Sequence, residues 1–417
     1  MKILHTADWH IDANLIEAGR CLQFLWRQAA EISPDLTIIA GDMFNSADVR
    51  LDSEAARLAM TAVRKLSEYS GQGVIILIGT PSHDGLAAKI FSGLDKVWVC
   101  DKPNSIIFHN TGAEYKNFVV SVLPQPTKQY LESVIEGDIE DLNREMGVKL
   151  TAICTGFGAA HSQYPDGPHI CVGHFTVKGA MISPTQQMIG YDIELGTFQL
   201  NSAHPTLWCL GHIHHAQEVA PGMLYSGSLY RVDFGEREST PGFWVHNIVS
   251  AEDPNTVGNA GGKKWLHDVQ SVFTETPASS MNKVKFDIVG DPDPFCEDAH
   301  TYIEDGDITD KMQVEIKCYM DEAGQVPLDA IRESLLERGA KEVDITLQRI
   351  PRPNVRSAKI LAVEALRDKL IARAEITDDE VAPGILEKAD YIETMKAEAV
   401  LNIIKKQFEG KGHAKNA

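Results

Sequence analysis

MKILHTADWH, residues 1–10, begins as an apolar run of strand composition and ends on Asp8 and His10. The same arrangement returns four times: LTIIAGD (36–42) ends on Asp42, VIILIGTPSHD (74–84) on His83 and Asp84, ICVGH (170–174) on His174, and LWCLGHIH (207–214) on His212 and His214. Short continuous apolar runs of this length read as strands buried on both faces. FVVSVLP (118–124) and MLYSGSL (223–229) add two more, and polar clusters and helical stretches lie between them, so residues 1–250 read as an α/β domain. In open α/β sheets the ligand lies beyond the carboxyl ends of the strands. One D-x-H there is most simply a satisfied Asp and His in a loop. Imidazole or carboxylate groups at five separate strand ends are a stronger signal than any one of them.

Histidine nitrogen and carboxylate oxygen are ligands for Mn²⁺, Zn²⁺ or Fe. The G-H-x-H of residues 211–214 can direct two rings into one cavity, toward one ion or two. Paired metals need a bridging carboxylate, and such pairs hydrolyse phosphate esters by activating water and clamping the leaving oxygen.

D-x-H, G-D, H-D, G-H and G-H-x-H, in that order, resemble the calcineurin-like metallophosphoesterases. More narrowly, HTADWH, AGDMFNSAD, GHFTVKGA, LGHIHHAQ and LYSGSLYRVDFGE resemble the SbcD-type nuclease subunits that process DNA double-strand breaks, over residues 1 to about 240. The resemblance implies a two-sheet metallophosphoesterase sandwich holding two Mn²⁺, with Mg²⁺ or another divalent metal as a substitute. One ion would be held by Asp8, His10 and His214, the second by His174 and His212, and Asp42 would bridge them. It also implies that His83 contacts the scissile phosphate or protonates the leaving oxygen, with Asp84 fixing its ring. The family writes G-N-H-D, with an Asn on the second metal, where this chain has Gly79-Thr80-Pro81-Ser82-His83-Asp84. Ser82 is left as a weak ligand, a holder of water or a turn cap. The implied activity is a Mn²⁺-dependent DNA nuclease working with an SbcC-type SMC-like ATPase, as a homodimer. The alternative is a small-molecule phosphodiesterase or phosphatase, and a third reading is a DNA-binding scaffold with a weakened site.

The remaining sequence bounds these readings. A length of 417 residues exceeds one compact core. Residues 251–263, AEDPNTVGNAGGK, read as a loop near a boundary. Residues 265–350 alternate strand and helix and read as a small α+β capping domain. RIPRPN interrupts the chain, and 355–410 form a helical tail with stripes at Ile360, Val363, Leu366 and Leu370, then Ile385, Ala389, Ile392, Met395, Ala399 and Ile403. The resemblance makes that tail a docking segment for the ATPase. No apolar run is long enough to span a bilayer and MKILHTADWH lacks the continuous apolar core of a secretory signal, so no membrane is involved. Seven scattered cysteines without CxxC spacing fit a cytoplasmic chain. The net charge of −20 argues against coating nucleic acid by bulk attraction. Trp9 reads as a packed ring before a base-stacking one, and His5 as a packed histidine. Arg231 is a candidate phosphate contact. Arg50, Arg57, Arg64 and Lys65 read first as a solvated helix face.

Overall fold

The computed structural model describes residues 1–12, 15–85, 87–109, 117–126, 139–183, 186, 193–257, 263–289, 303–352, 363, 365–377 and 381–394. Four apolar runs form parallel neighbours: β1 (Lys2–Thr6), β2 (Leu36–Ile39), β3 (Val74–Leu77) and β4 (Val97–Cys100). Two long strands, β13 (Gly242–Val257) and β14 (Lys263–Glu275), complete a six-stranded sheet in the order β14-β13-β1-β2-β3-β4. The second six-stranded sheet runs β11-β12-β10-β7-β6-β5. Its members are β5 (Asn104–His109), β6 (Asn117–Leu123), β7 (His169–His174), β10 (Leu207–Gly211), β11 (Gln217–Ala220) and β12 (Met223–Tyr225). The short pair β8 (Thr176–Val177) and β9 (Glu194–Leu195) stands apart.

The two-residue period of a strand distributes this core. Leu36, Ile38, Ile75 and Leu77 face Val120, Val122, Ile170, Val172 and Cys209 between the sheets. Ile39, Val74 and Ile76 turn the other way and pack under α1 (Leu15–Ile32) and α2 (Glu54–Tyr69). Trp208 and Leu210 pack outward against α3 (Ile139–His161) and α4 (Thr197–Asn201). The result is helices on both outer faces of a two-sheet sandwich, the α/β class read from the apolar runs. Helix α2 starts where Ser53 accepts the Ala56 N–H at 3.1 Å. Its neighbouring cations meet acids, Arg50 with Asp52 and Lys65 with Glu68, which agrees with a solvated face.

Residues 251–263 are not simply a loop. β13 continues to Val257 and β14 resumes at Lys263, so the stretch lies at the tip of an antiparallel hairpin. Farther on, β15 (Met281–Asp287), β16 (Lys311–Tyr319) and β17 (Glu342–Ile350) form a three-stranded sheet with α5 (Leu328–Glu337) between the last two in the chain. β16 alternates strictly, burying Met312, Val314, Ile316 and Cys318. Two tail helices follow, α6 (Leu366–Thr377) and α7 (Pro383–Thr394), joined by an Arg367–Asp390 ion pair. Ile360, Met395, Ala399 and Ile403 lie outside the described residues, as do residues 290–302 of the stretch read as alternating strand and helix. The described residues fall into two compact units. One lies within Met1–Val284, His300–Gln313 and Arg332–Asp344, the other within Lys285–Ala299, Val314–Ile331 and Ile345–Ala417. Among the described residues no helix is long and apolar enough to cross a membrane.

Candidate metal centre

The carboxyl ends of β1, β2, β3, β7 and β10 meet at one edge of the sandwich. Backbone bonds lock these ends together: Asp8 N–H donates to Gly41 O at 3.0 Å and His10 N–H to Asp42 O at 3.1 Å. Four of the polar side chains brought there stand on left-handed backbone, Asp8 (φ 50°), His10 (φ 41°), Asp42 (φ 51°) and His212 (φ 92°). Such conformations cost of order 1–3 kcal/mol each and persist where the surroundings impose them. Two glycines make the approach possible. A Cβ on Gly41, itself at φ +98°, would lie 2.3 Å from His174 Nδ1, and one on Gly79 would lie 2.2 Å from Asp42 Oδ1.

Asp42 is the hub. Its Oδ2 lies 2.8 Å from His83 Nδ1, 3.3 Å from His174 Nε2 and 4.0 Å from His10 Nε2. Donor atoms of Asp8, His10 and His214 cluster on one side, and those of Asp42, His174 and His212 on the other. His10 Nε2 and His214 Nε2 face each other at 2.9 Å, and His10 Nδ1 is buried without a partner. The second nitrogen of two rings is anchored: His174 Nδ1 on Ala40 O at 2.7 Å, and His214 Nδ1 on Glu236 at 2.5 Å. Imidazole lone pairs and carboxylate oxygens converging in two adjacent groups, with the far nitrogens of His174 and His214 already held, fit divalent cations. Asp8, His10, Asp42, His174, His212 and His214 are the residues that could hold them.

The electrostatics agree with that fit. Burial pushes Asp8 up to about 7 against the pull of the His174 and His214 charges. Burial also opposes a charge on Asp42, but the His174 charge and the hydrogen bonds from His174 and His83 hold it well below the usual carboxylate range. At His174 burial disfavours the charged ring, yet Asp42 outweighs it and brings the pKa up to about 9. Protonated rings thus supply part of the positive charge that the carboxylates require, and a metal ion would displace those protons.

His83 and Ser82 line a cleft of about 250 Å³ that opens onto these groups. Ser82 is exposed, and its carbonyl accepts the Ala47 N–H at 2.8 Å. Thr80 reaches further in: its N–H donates to Asp42 Oδ1 at 2.5 Å, and its hydroxyl lies 2.9 Å from Asp42 Oδ2 and 3.3 Å from His174 Nε2. Sequence reasoning passed over Thr80 because Ser82 stands next to His83. Asp84 does not fix the His83 ring, contrary to expectation. It is fully buried, and its carboxylate accepts the N–H groups of Asp42 (3.0 Å), Met43 (2.7 Å) and Gly79 (2.8 Å), tying the β2 and β3 ends together. Arg231 is likewise turned away from a phosphate role, donating to Ser279 O at 2.9 Å. Trp9 is packed, its indole N–H on Thr6 Oγ1 at 2.9 Å. Two further residues were missed. Glu236 backs His214, and Gln186 spans the H-x-H segment, donating to His212 O and accepting from His214 N–H.

The profile of the calcineurin-like phosphoesterase family matches residues 1–216, just over half of the chain. The chain belongs to the calcineurin-like phosphoesterases. This phosphoesterase is a metal-dependent hydrolase of phosphoesters. It is similar to the SbcD component of the nuclease SbcCD from Staphylococcus epidermidis, 23% identical over 266 residues, which cover 60% of this chain and 66% of that relative's length. Among solved structures it is similar to the GAP50 anchor of the inner membrane complex of Plasmodium (TM-score 0.39, 13% identity, 66% of this chain and 85% of that one). A dimetal phosphatase from Danio rerio matches at TM-score 0.38 and 11% identity, over 64% and 98% of the two chains.

Proposed function

We propose that this phosphoesterase is a Mn²⁺-dependent nuclease acting on DNA ends, in complex with an SbcC-type SMC-like ATPase and as a homodimer. The observation that carries the chemistry is Asp42 standing between two groups of donors at the ends of five strands, beside an open cleft. Asp8, His10 and His214 would hold one cation and His174 and His212 the other, with Asp42 shared. Such a pair, when bound, supplies an activated water and neutralises charge on the phosphate. His83, its Nδ1 held by Asp42, has Nε2 left to meet the phosphate or give a proton to the leaving oxygen. Thr80 and Asp84 fix the Asp42 carboxylate and backbone, so the shared ligand is pre-oriented.

The nuclease activity and a partner subunit follow the SbcCD relative, the DNA substrate, the ATPase and the dimer follow the motif resemblance of residues 1–240, and a cytoplasmic setting follows the scattered cysteines. In this reading residues 1–250 hydrolyse, 265–350 cap, and the helices of 355–410 dock on the ATPase. The test is Mn²⁺-dependent cleavage of end-labelled duplex DNA, compared with bis-p-nitrophenyl phosphate and simple monoesters. Wild-type cleavage that drops ~10²–10⁴-fold in His83→Ala, with metal retained, is the expected result. Faster turnover of monoesters than of DNA would instead favour the small-molecule phosphatase reading.

A further inference from the structure

Away from the cleft, the core between the two sheets brings two imidazoles and a thiol together. His5 on β1, His246 on β13 and Cys209 on β10 are each fully buried, and one donor atom of each lies within 4.8 Å of the others. The far side of each ring is already fixed. His5 Nε2 sits 3.1 Å from the Leu210 carbonyl, which can only accept, so that nitrogen carries the proton and Nδ1 presents a bare lone pair. This lone pair faces His246 Nε2 at 3.3 Å. His246 Nδ1 meets the Ser271 hydroxyl at 2.8 Å, a partner able to donate or accept. Burial keeps both rings neutral, lowering His5 to about 3 and His246 well below its ordinary value.

Neutral imidazole with its second N–H given to an oxygen is the form in which histidine binds metal. The 3.3 Å gap between the facing nitrogens also matches the edge of a tetrahedron built on metal–nitrogen distances of ~2.0–2.1 Å. We propose that His5 Nδ1, His246 Nε2 and Cys209 Sγ form a second, structural site for one thiophilic divalent cation of the Zn²⁺ class, joining β1 and β13 of one sheet to β10 of the other. Three protein donors leave the fourth position of a tetrahedral ion to a water molecule. Binding releases one proton, from the Cys209 thiol. His246 exchanges its Nε2 proton for one on Nδ1 as Ser271 turns from donor to acceptor, so neither ring changes charge.

Co²⁺ is the probe, because the hydrolytic centre offers no sulfur and only a thiolate gives a near-ultraviolet sulfur-to-cobalt charge-transfer band. Full-length protein stripped of metal is titrated with Co²⁺. The expected result is one equivalent that develops the band, which is lost in Cys209→Ala and kept in Asp42→Asn. Ser271→Ala lies outside the donor set and should weaken this equivalent ~10–100-fold, so the test stays decisive if Cys209→Ala fails to fold. A folded wild type that shows no band at saturating Co²⁺, or a band that survives Cys209→Ala, would overturn the site and leave His5 and His246 as a hydrogen-bonded core pair.

Discussion

Glu236 divides its buried carboxylate between His214 Nδ1 at 2.5 Å and the Val232 N–H at 2.8 Å, so it fixes which nitrogen of His214 is left to coordinate. That hydrogen bond raises the His214 pKa against the effect of burial. Glu236→Gln keeps the shape and removes the charge, and Mn²⁺ affinity should fall ~10–100-fold. A Mn²⁺ titration followed by calorimetry measures this, and unchanged affinity in both sites would exclude the role. The sequence displayed Phe-Gly-Glu as a motif, but nothing in its spacing tells which ligand it supports, because the two partners are 22 residues apart. The pairing of His83 with Asp84 was misread for the opposite reason. Adjacent side chains in a turn point in different directions, and the partner of His83 proved to be Asp42, from a different strand.

At the level of elements, the strands read within residues 1–250 were those buried on both faces, since a continuous apolar run needs no partner to be recognised. β13 and β14 were missed because polar residues interrupt their apolar runs, His246 and Asn247 in β13 and His267, Asp268, Gln270 and Ser271 in β14, and because their hairpin tip looks like a linker. Gly79, at the end of β3, has no room for a side chain: a Cβ would approach Asp42 N at 2.4 Å as well as Oδ1. Gly79→Ala should therefore displace the β2 end by overpacking, at ~1–3 kcal/mol, and abolish stoichiometric metal binding while the circular dichroism spectrum is retained. Wild-type metal content in the variant would mean that the strand ends can separate without loss. His169, at the start of β7, joins β6 through Ser121 at 2.8 Å and the chain beyond α4 through Ala203 O at 3.0 Å. Burial, aided by the neighbouring His161, lowers its pKa from 6.5 to about 4. The unfolded chain takes up this proton below the ordinary value and the folded one does not. Stability is therefore full above that value and is lost as pH falls toward about 4. At about pH 5 the loss is ~2 kcal/mol. Thermal midpoints should drop more steeply on acidification for wild type than for His169→Gln, and parallel curves would show that His169 is not the titrating group.

On the proposed reading a polyanionic substrate meets a chain of net charge −20, and the tail from 355 to 417 contributes nothing to that charge, with eleven bases and eleven acids. The candidate metal ligands were legible because they are local to strand ends. Substrate affinity was not, because it depends on how charge is distributed over a surface and on what a partner adds. A protein that binds duplex through 6–10 phosphate contacts loses ~10³–10⁵ in affinity between 50 and 200 mM salt, through the counterions it releases. Among the described residues several exposed cations are paired with acids, as at Arg50–Asp52, Lys89–Asp101 and Lys317–Asp287, and a cation already neutralised releases few counterions. The KM of the isolated chain for duplex DNA should therefore rise less than ~10-fold over that salt range, where screening also relieves repulsion by the acidic surface. The full salt dependence should appear only when the ATPase is added. Cleavage measured at several NaCl concentrations, with and without that partner, decides it: a steep slope for the chain alone would reveal a basic DNA track of its own and remove the need for a partner to supply affinity.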